Sequence, residues 1–129
     1  MIIDFHTHCF SDDIAERAMS KLSQNSGLPA HHNGTISGLM ESAKNAQIDV
    51  CVVLPIATKP TQTRTINRWA LSIMDEHIVS FGTIHPEFED YEDEIQWLKN
   101  NHFKGVKFHP DYQDFFVDDK KMYPIYDAI

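Results

Sequence analysis

Four short runs rich in β-branched and aromatic residues, at 2–5, 49–54, 78–84 and 103–108, alternate with helical stripes along this chain. That alternation predicts a parallel sheet with helical crossovers, because parallel neighbours need a long return connection. Ile14, Ala18 and Leu22 recur at helical spacing behind an acidic, cap-like Ser11-Asp12-Asp13. Ile36, Leu39, Met40 and Ala43 do the same behind Thr35, an N-cap candidate. Ile66, Trp69, Ala70, Ile73 and Met74 draw a third stripe, and Tyr91, Ile95 and Leu98 a fourth. The fourth carries Asp90, Glu92, Asp93 and Glu94 at its start and Lys99 near its end, signs that suit the helix dipole. A fifth begins near Lys120, with Met122, Ile125, Tyr126 and Ile129 on one face, and tolerates Pro124 only in its first turn.

Three of the strand runs meet proline, at Leu54-Pro55, His85-Pro86 and His109-Pro110. Proline has no N–H to give a ladder, so each marks the carboxyl end of a strand. His8, His85 and His109 are therefore expected at the carboxyl edge of one sheet, where α/β folds place their sites. The expected strand order is 1-2-3-4, with helices on the outer face. Residues 1–129 read as one partial domain of four βα units, the N-terminal half of a TIM-type (β/α)8 barrel. A whole barrel takes roughly 200–250 residues. No Gly or Asn stop signal precedes Ile129, so the sequence reads as cut off rather than finished.

Composition narrows the partners. A hydrophobic content of 42% and a charged content of 23% describe a globular protein. A formal charge of −8 without a Lys/Arg cluster argues against nucleic acid. Neither a basic leader nor an apolar run of spanning length is seen, so the expectation is a cytoplasmic protein away from membranes. Cys9 and Cys51 fit no disulfide framework and no C-x-x-C motif. His31-His32 falls in a polar loop and reads as solvated.

The chemistry gathers at two places. In Asp4-Phe5-His6-Thr7-His8, alternation along a strand sets Asp4, His6 and His8 on one side, where two imidazoles can converge on one metal ion. The plain alternative is a pair of exposed histidines flanking a threonine. In Gly105-Val106-Lys107-Phe108-His109-Pro110, Val106 and Phe108 share one face, and Gly105, Lys107 and His109 the other. A helix-covered parallel strand is normally apolar on both faces, so this pair needs an explanation. Lys107 can pair with a carboxylate, reach solvent, or orient an anionic substrate group. His109 can hydrogen-bond substrate, move a proton, or support a metal ligand. Asp4 can support a ligand histidine or pair with a neighbouring base, His85 reads as a loop hydrogen-bonding group, and Cys9 as a packing residue. Trp69 and Trp97 read as core or helix-surface residues.

The D-x-H-x-H opening and the G-V-K-F-H-P segment, set within this βα rhythm, resemble the amidohydrolase superfamily, and within it the amidohydrolase 2 group. That group includes metal-dependent decarboxylases of the aminocarboxymuconate-semialdehyde type. The likeness extends through Gly34-Thr35, Ile48-Asp49-Val50 to Pro55, Gly82-Thr83-Ile84-His85-Pro86, and Asp118-Asp119 to Tyr126, nearly the whole chain. Nuclease and phosphoesterase branches also begin D-x-H-x-H, and G-x-K-x-H-P separates the amidohydrolase 2 group from them. The resemblance implies that His6 and His8 are metal ligands, and that Lys107 and His109 line the pocket as catalytic and substrate-binding residues. It implies a divalent cofactor, zinc, and water attacking a carbonyl, amide or lactone-like centre of a small-molecule substrate. It also implies two further ligands, a histidine ending a fifth strand and an aspartate ending an eighth, the latter the usual general base. Neither lies within these 129 residues. Decarboxylation of a small carboxylated substrate is the alternative activity. A non-catalytic half-barrel that assembles as a homodimer or binds metal is the alternative of another class. A carboxylated Lys107 bridging two metals is disfavoured by the histidine that follows it.

Overall fold

The Ile-Asp-Phe-His-Thr run at the amino end forms β1 (Ile3–Thr7), an edge strand that pairs in parallel with β2 (Val50–Val53), which pairs in parallel with β3 (Ile78–Ser80). In this computed structural model, which describes residues 1–129, β4 (Gly82–Thr83) pairs in parallel with β5 (Val106–Lys107). The protein is thus α/β with short parallel sheets and helices between the strands.

The expected third strand at 78–84 divides between two neighbours. Its Phe81 N–H reaches the Val53 carbonyl (3.0 Å), whereas its Gly82 N–H reaches the Gly105 carbonyl (2.9 Å). The first half therefore serves β2 and the second half β5. The expected fourth strand at 103–108 is shorter than its composition suggested. The Phe103 N–H is spent on the Leu98 carbonyl (3.1 Å), and His102 sits in the left-handed region (φ 62°). Residues 101–103 thus still close the preceding helix, and the ladder forms only at Val106–Lys107.

Each helical stripe became a helix. α1 (Asp12–Ser26) ends at Gly27, whose φ of 69° few other residues take cheaply, with its N–H on the Ser23 carbonyl. α2 (Ile36–Asn45) starts where expected, the Thr35 hydroxyl accepting from the Gly38 N–H at 3.0 Å. α3 (Thr63–Ser72) and α4 (Tyr91–Asn100) follow. A short helix not anticipated from the sequence, α5 (Pro110–Gln113), begins at Pro110 with His109 as its N-cap. The last helix, α6 (Tyr123–Ala128), carries Pro124 in its first turn; Met122 and Ile125 are buried, while Tyr126 and Ile129 stay exposed.

Two apolar cores result. Cys9, Val53 and Ile78 pack with Ile36, Leu39, Met40, Trp69 and Ile73, joining β2 and β3 to α2 and α3. Ile84, Ile95, Leu98, Phe115, Met122 and Ile125 form the other, with Val106 and Phe108 against it. Away from both, Phe5 (64% exposed) meets Phe81 edge to face at 5.8 Å. The Phe81 ring lies so close over Gly105 that a Cβ there would stand 2.6 Å from it.

Polar groups stitch the cores together. Asn67, fully buried, donates to the Thr83 carbonyl (3.0 Å) and to Glu94 Oε1 (2.9 Å), and accepts the Thr83 N–H (2.8 Å). Arg68 clamps both Glu94 oxygens (2.6 and 3.2 Å), its guanidinium 3.4 Å from the Trp97 ring centroid. Glu94, one of the acids expected to suit the dipole of this helix, is also a buried structural carboxylate.

Candidate functional site

Thr7 fixes how the chain leaves β1. Its hydroxyl donates to the Val52 carbonyl (2.9 Å) and its carbonyl accepts the Leu54 N–H (2.9 Å), turning this side chain inward. His6 and His8, on either side of it, are left exposed. Their rings lie 5.0 Å apart between centroids with planes at 63°, close enough for one ion to reach both.

Asp4 plays neither role expected of it. The pairing runs Ile3 with Val50, Asp4 with Cys51, then Thr7 with Val53, so β1 carries an irregularity between Asp4 and Thr7. Strict alternation fails across such a bulge. The Asp4 carboxylate accepts the His6 backbone N–H (3.2 Å), an exposed bond within its own strand, and bonds neither imidazole.

His8 is less basic than an ordinary histidine. Protein packed about the ring withdraws water, although much of its surface remains accessible, and the nearby His6 adds to the effect. Lys107 and His109 push the same way, and a hydrogen bond to the Leu54 backbone opposes. A ring held neutral near pH 7 is the form that binds metal. Lys107 ends β5 and His109 caps the helix that follows, while His8 follows the end of β1. Of the four, His6 and His8 are brought together directly, ring to ring.

His109 is the best-held member. Its Nδ1 accepts the Tyr112 N–H (3.3 Å), its ring stacks on Tyr112 at 4.3 Å and 10°, and its backbone N–H donates to Gln113 Oε1 (2.8 Å). Gln113, 3% exposed, also donates to the Ala57 and Ile84 carbonyls (2.9 and 3.0 Å), tying three strand ends together. Sequence reading missed Gln113 because its partners lie up to 56 positions away. The available signal was His-Pro opening a helix, which puts the residue four after His109 one turn along.

His85 stands apart, buried, with Nδ1 accepting the Glu87 N–H (3.1 Å), which is the loop hydrogen bond expected of it. Burial lowers its pKa and Lys121 adds to this, while Glu87 opposes. Between the ordinary 6.5 and the lowered folded value, the unfolded chain binds more protons, so stability falls as pH drops through that window. His85→Asn, which keeps an acceptor near Nδ1, is expected to flatten that slope in denaturation midpoints measured at successive pH values.

Cys9 is 3% exposed, with its thiol pushed up to about 11 by burial and by Cys51, which suits a packing residue and not a nucleophile. His31 and His32 are exposed, as expected. No group of three or more His, Cys, Asp or Glu side chains is arranged to hold a metal ion. Surface clefts beside His32 and Glu41, and beside Glu16 and Gln24, have no hydrophobic lining, unlike small-molecule pockets. No helix is long and apolar enough to cross a membrane. No family model, curated protein or solved structure matches the chain.

Proposed function

We propose that this chain is the N-terminal half of a (β/α)8 barrel of a metal-dependent hydrolase of the amidohydrolase 2 type, supplying His6 and His8 as two ligands of a divalent ion, zinc. The convergence of the two rings, 5.0 Å apart at the end of a parallel strand, carries this reading. The staggered sharing of residues 78–83 between β2 and β5 supports the barrel, since closing a sheet requires such an offset.

The donor set fits two positions of the ion and no more. Catalytic zinc ordinarily has three protein ligands and a water, so the remaining donors lie outside these residues. When bound, such an ion polarises a carbonyl and makes hydroxide available near neutral pH. His6 and His8 hold their rings together for it. Lys107 brings a cation that orients an anionic substrate group, and His109 a hydrogen-bonding imidazole. Non-oxidative decarboxylation of a small carboxylated substrate is the alternative chemistry.

The test is a panel of lactones, esters, amides and small unsaturated carboxylates, assayed with added zinc on the protein as its gene encodes it. Zinc-dependent turnover that vanishes in His6→Ala and in His8→Ala is expected. Turnover indifferent to both substitutions contradicts the proposal.

A second reading, a half-barrel assembling with another copy, is favoured by exposed area. The chain presents 8235 Å², against roughly 7000 Å² for a compact monomer of its 14.9 kDa. The excess exceeds the roughly 800 Å² that one partner gives a standard interface. Light scattering distinguishes the two: a stable dimer supports assembly, a monomer removes it.

A further inference from the structure

The proton on His109 can be placed from the backbone. The Tyr112 amide N–H points at Nδ1, and an amide does not yield its proton, so that nitrogen must accept. In a neutral imidazole the proton then sits on Nε2. The Tyr112 ring, parallel at 4.3 Å, opposes rotation of the imidazole, and Gln113 anchors the backbone beneath it. Nε2 has no hydrogen-bond partner within the protein, and no buried side-chain polar atom lacks one, so Nε2 reaches solvent.

We infer that Tyr112 and Gln113 hold His109 as an Nε2–H donor, so that beside Lys107 it takes an acceptor oxygen of a small carboxylate or carbonyl compound. A ring held this way presents a proton to the site. It is not the neutral base that removes one, and it does not offer Nε2 to a metal. The ligand half of this inference rests on the proposed hydrolase site; the tautomer half does not.

The test uses the whole chain labelled with ¹⁵N-histidine, at about pH 8, above the ordinary imidazole range. Long-range ¹H–¹⁵N correlations are assigned to His109 by the signals missing in His109→Gln. The expected result is an unprotonated Nδ1 and a protonated Nε2 without averaging, whereas exposed His31 and His32 give averaged positions. Tyr112→Ala keeps the amide donor and the single tautomer; Tyr112→Pro removes the donor and yields a mixture. An averaged or Nδ1-protonated His109 in the unsubstituted chain overturns the inference.

Acetate is the ligand probe. It is expected to shift the Lys107 and His109 signals, to lose at least about tenfold in affinity in His109→Ala, and to keep most of it in His109→Gln, whose amide retains a donor near Nε2. Acetate binding unchanged in His109→Ala overturns the ligand half. Absence of zinc-dependent turnover, with the single tautomer and acetate binding intact, contradicts the hydrolase reading and leaves this inference standing.

Discussion

Glu94→Ala is expected to destabilise the fold by about 3 kcal/mol, read as a lowered denaturant midpoint with little change in slope. The carboxylate is 1% exposed and accepts from Asn67 and from both Arg68 amino groups. Arg64 adds a longer contact at 3.6 Å. The two arginines are half-exposed and can turn to water, so their share is small. The larger share falls on Asn67, which has no solvent to turn to and whose amide also holds Thr83 in β4. Truncation further leaves a cavity against α3, where Asn67 and Arg68 meet the carboxylate. Glu94→Gln keeps an acceptor and is expected to lose less. A loss below about 1 kcal/mol in Glu94→Ala indicates that the network is not formed in solution.

Gln113→Leu is expected to cost a similar amount, about 3 kcal/mol, although it replaces a polar side chain by an apolar one of like size in a buried position. Three partners are orphaned together: the His109 N–H and the carbonyls of Ala57 and Ile84. Removing one partner of a buried hydrogen bond costs more than removing both. Gln113→Glu fares no better, since it keeps the acceptor for His109 but sets a charge against two carbonyls. Thermal or denaturant unfolding of the three proteins checks the order, and a neutral Gln113→Leu removes Gln113 as the tie among the strand ends.

What sequence could tell here followed from periodicity and from proline. The helical stripes at Ile36 and Tyr91 became α2 and α4, and proline after Leu54 marked where β2 stops. The proximity of His6 and His8 follows from their spacing in an extended run. The remainder depended on partners distant in the chain. The bond from the His6 N–H to Asp4 was not legible, since this stretch of β1 carries a bulge that nothing local announces. Glu94 was legible as an acid suited to the helix dipole, but its burial depends on its place four before Leu98 on the buried stripe. Asn67 and Gln113 are polar residues on core-facing turns, and their roles are set by carbonyls and amides that only tertiary packing supplies.

The most direct test of the shared-ion claim is a zinc titration of the chain followed through its histidine ring nitrogens. His6 and His8 are expected to shift together and saturate near one equivalent, and either alanine substitution abolishes the response of the remaining ring. The loss in affinity exceeds the roughly 10–100-fold that removing a residue behind a ligand costs. Independent shifts at His6 and His8, or silence there while exposed His31 and His32 move, contradict a common ion at the end of β1.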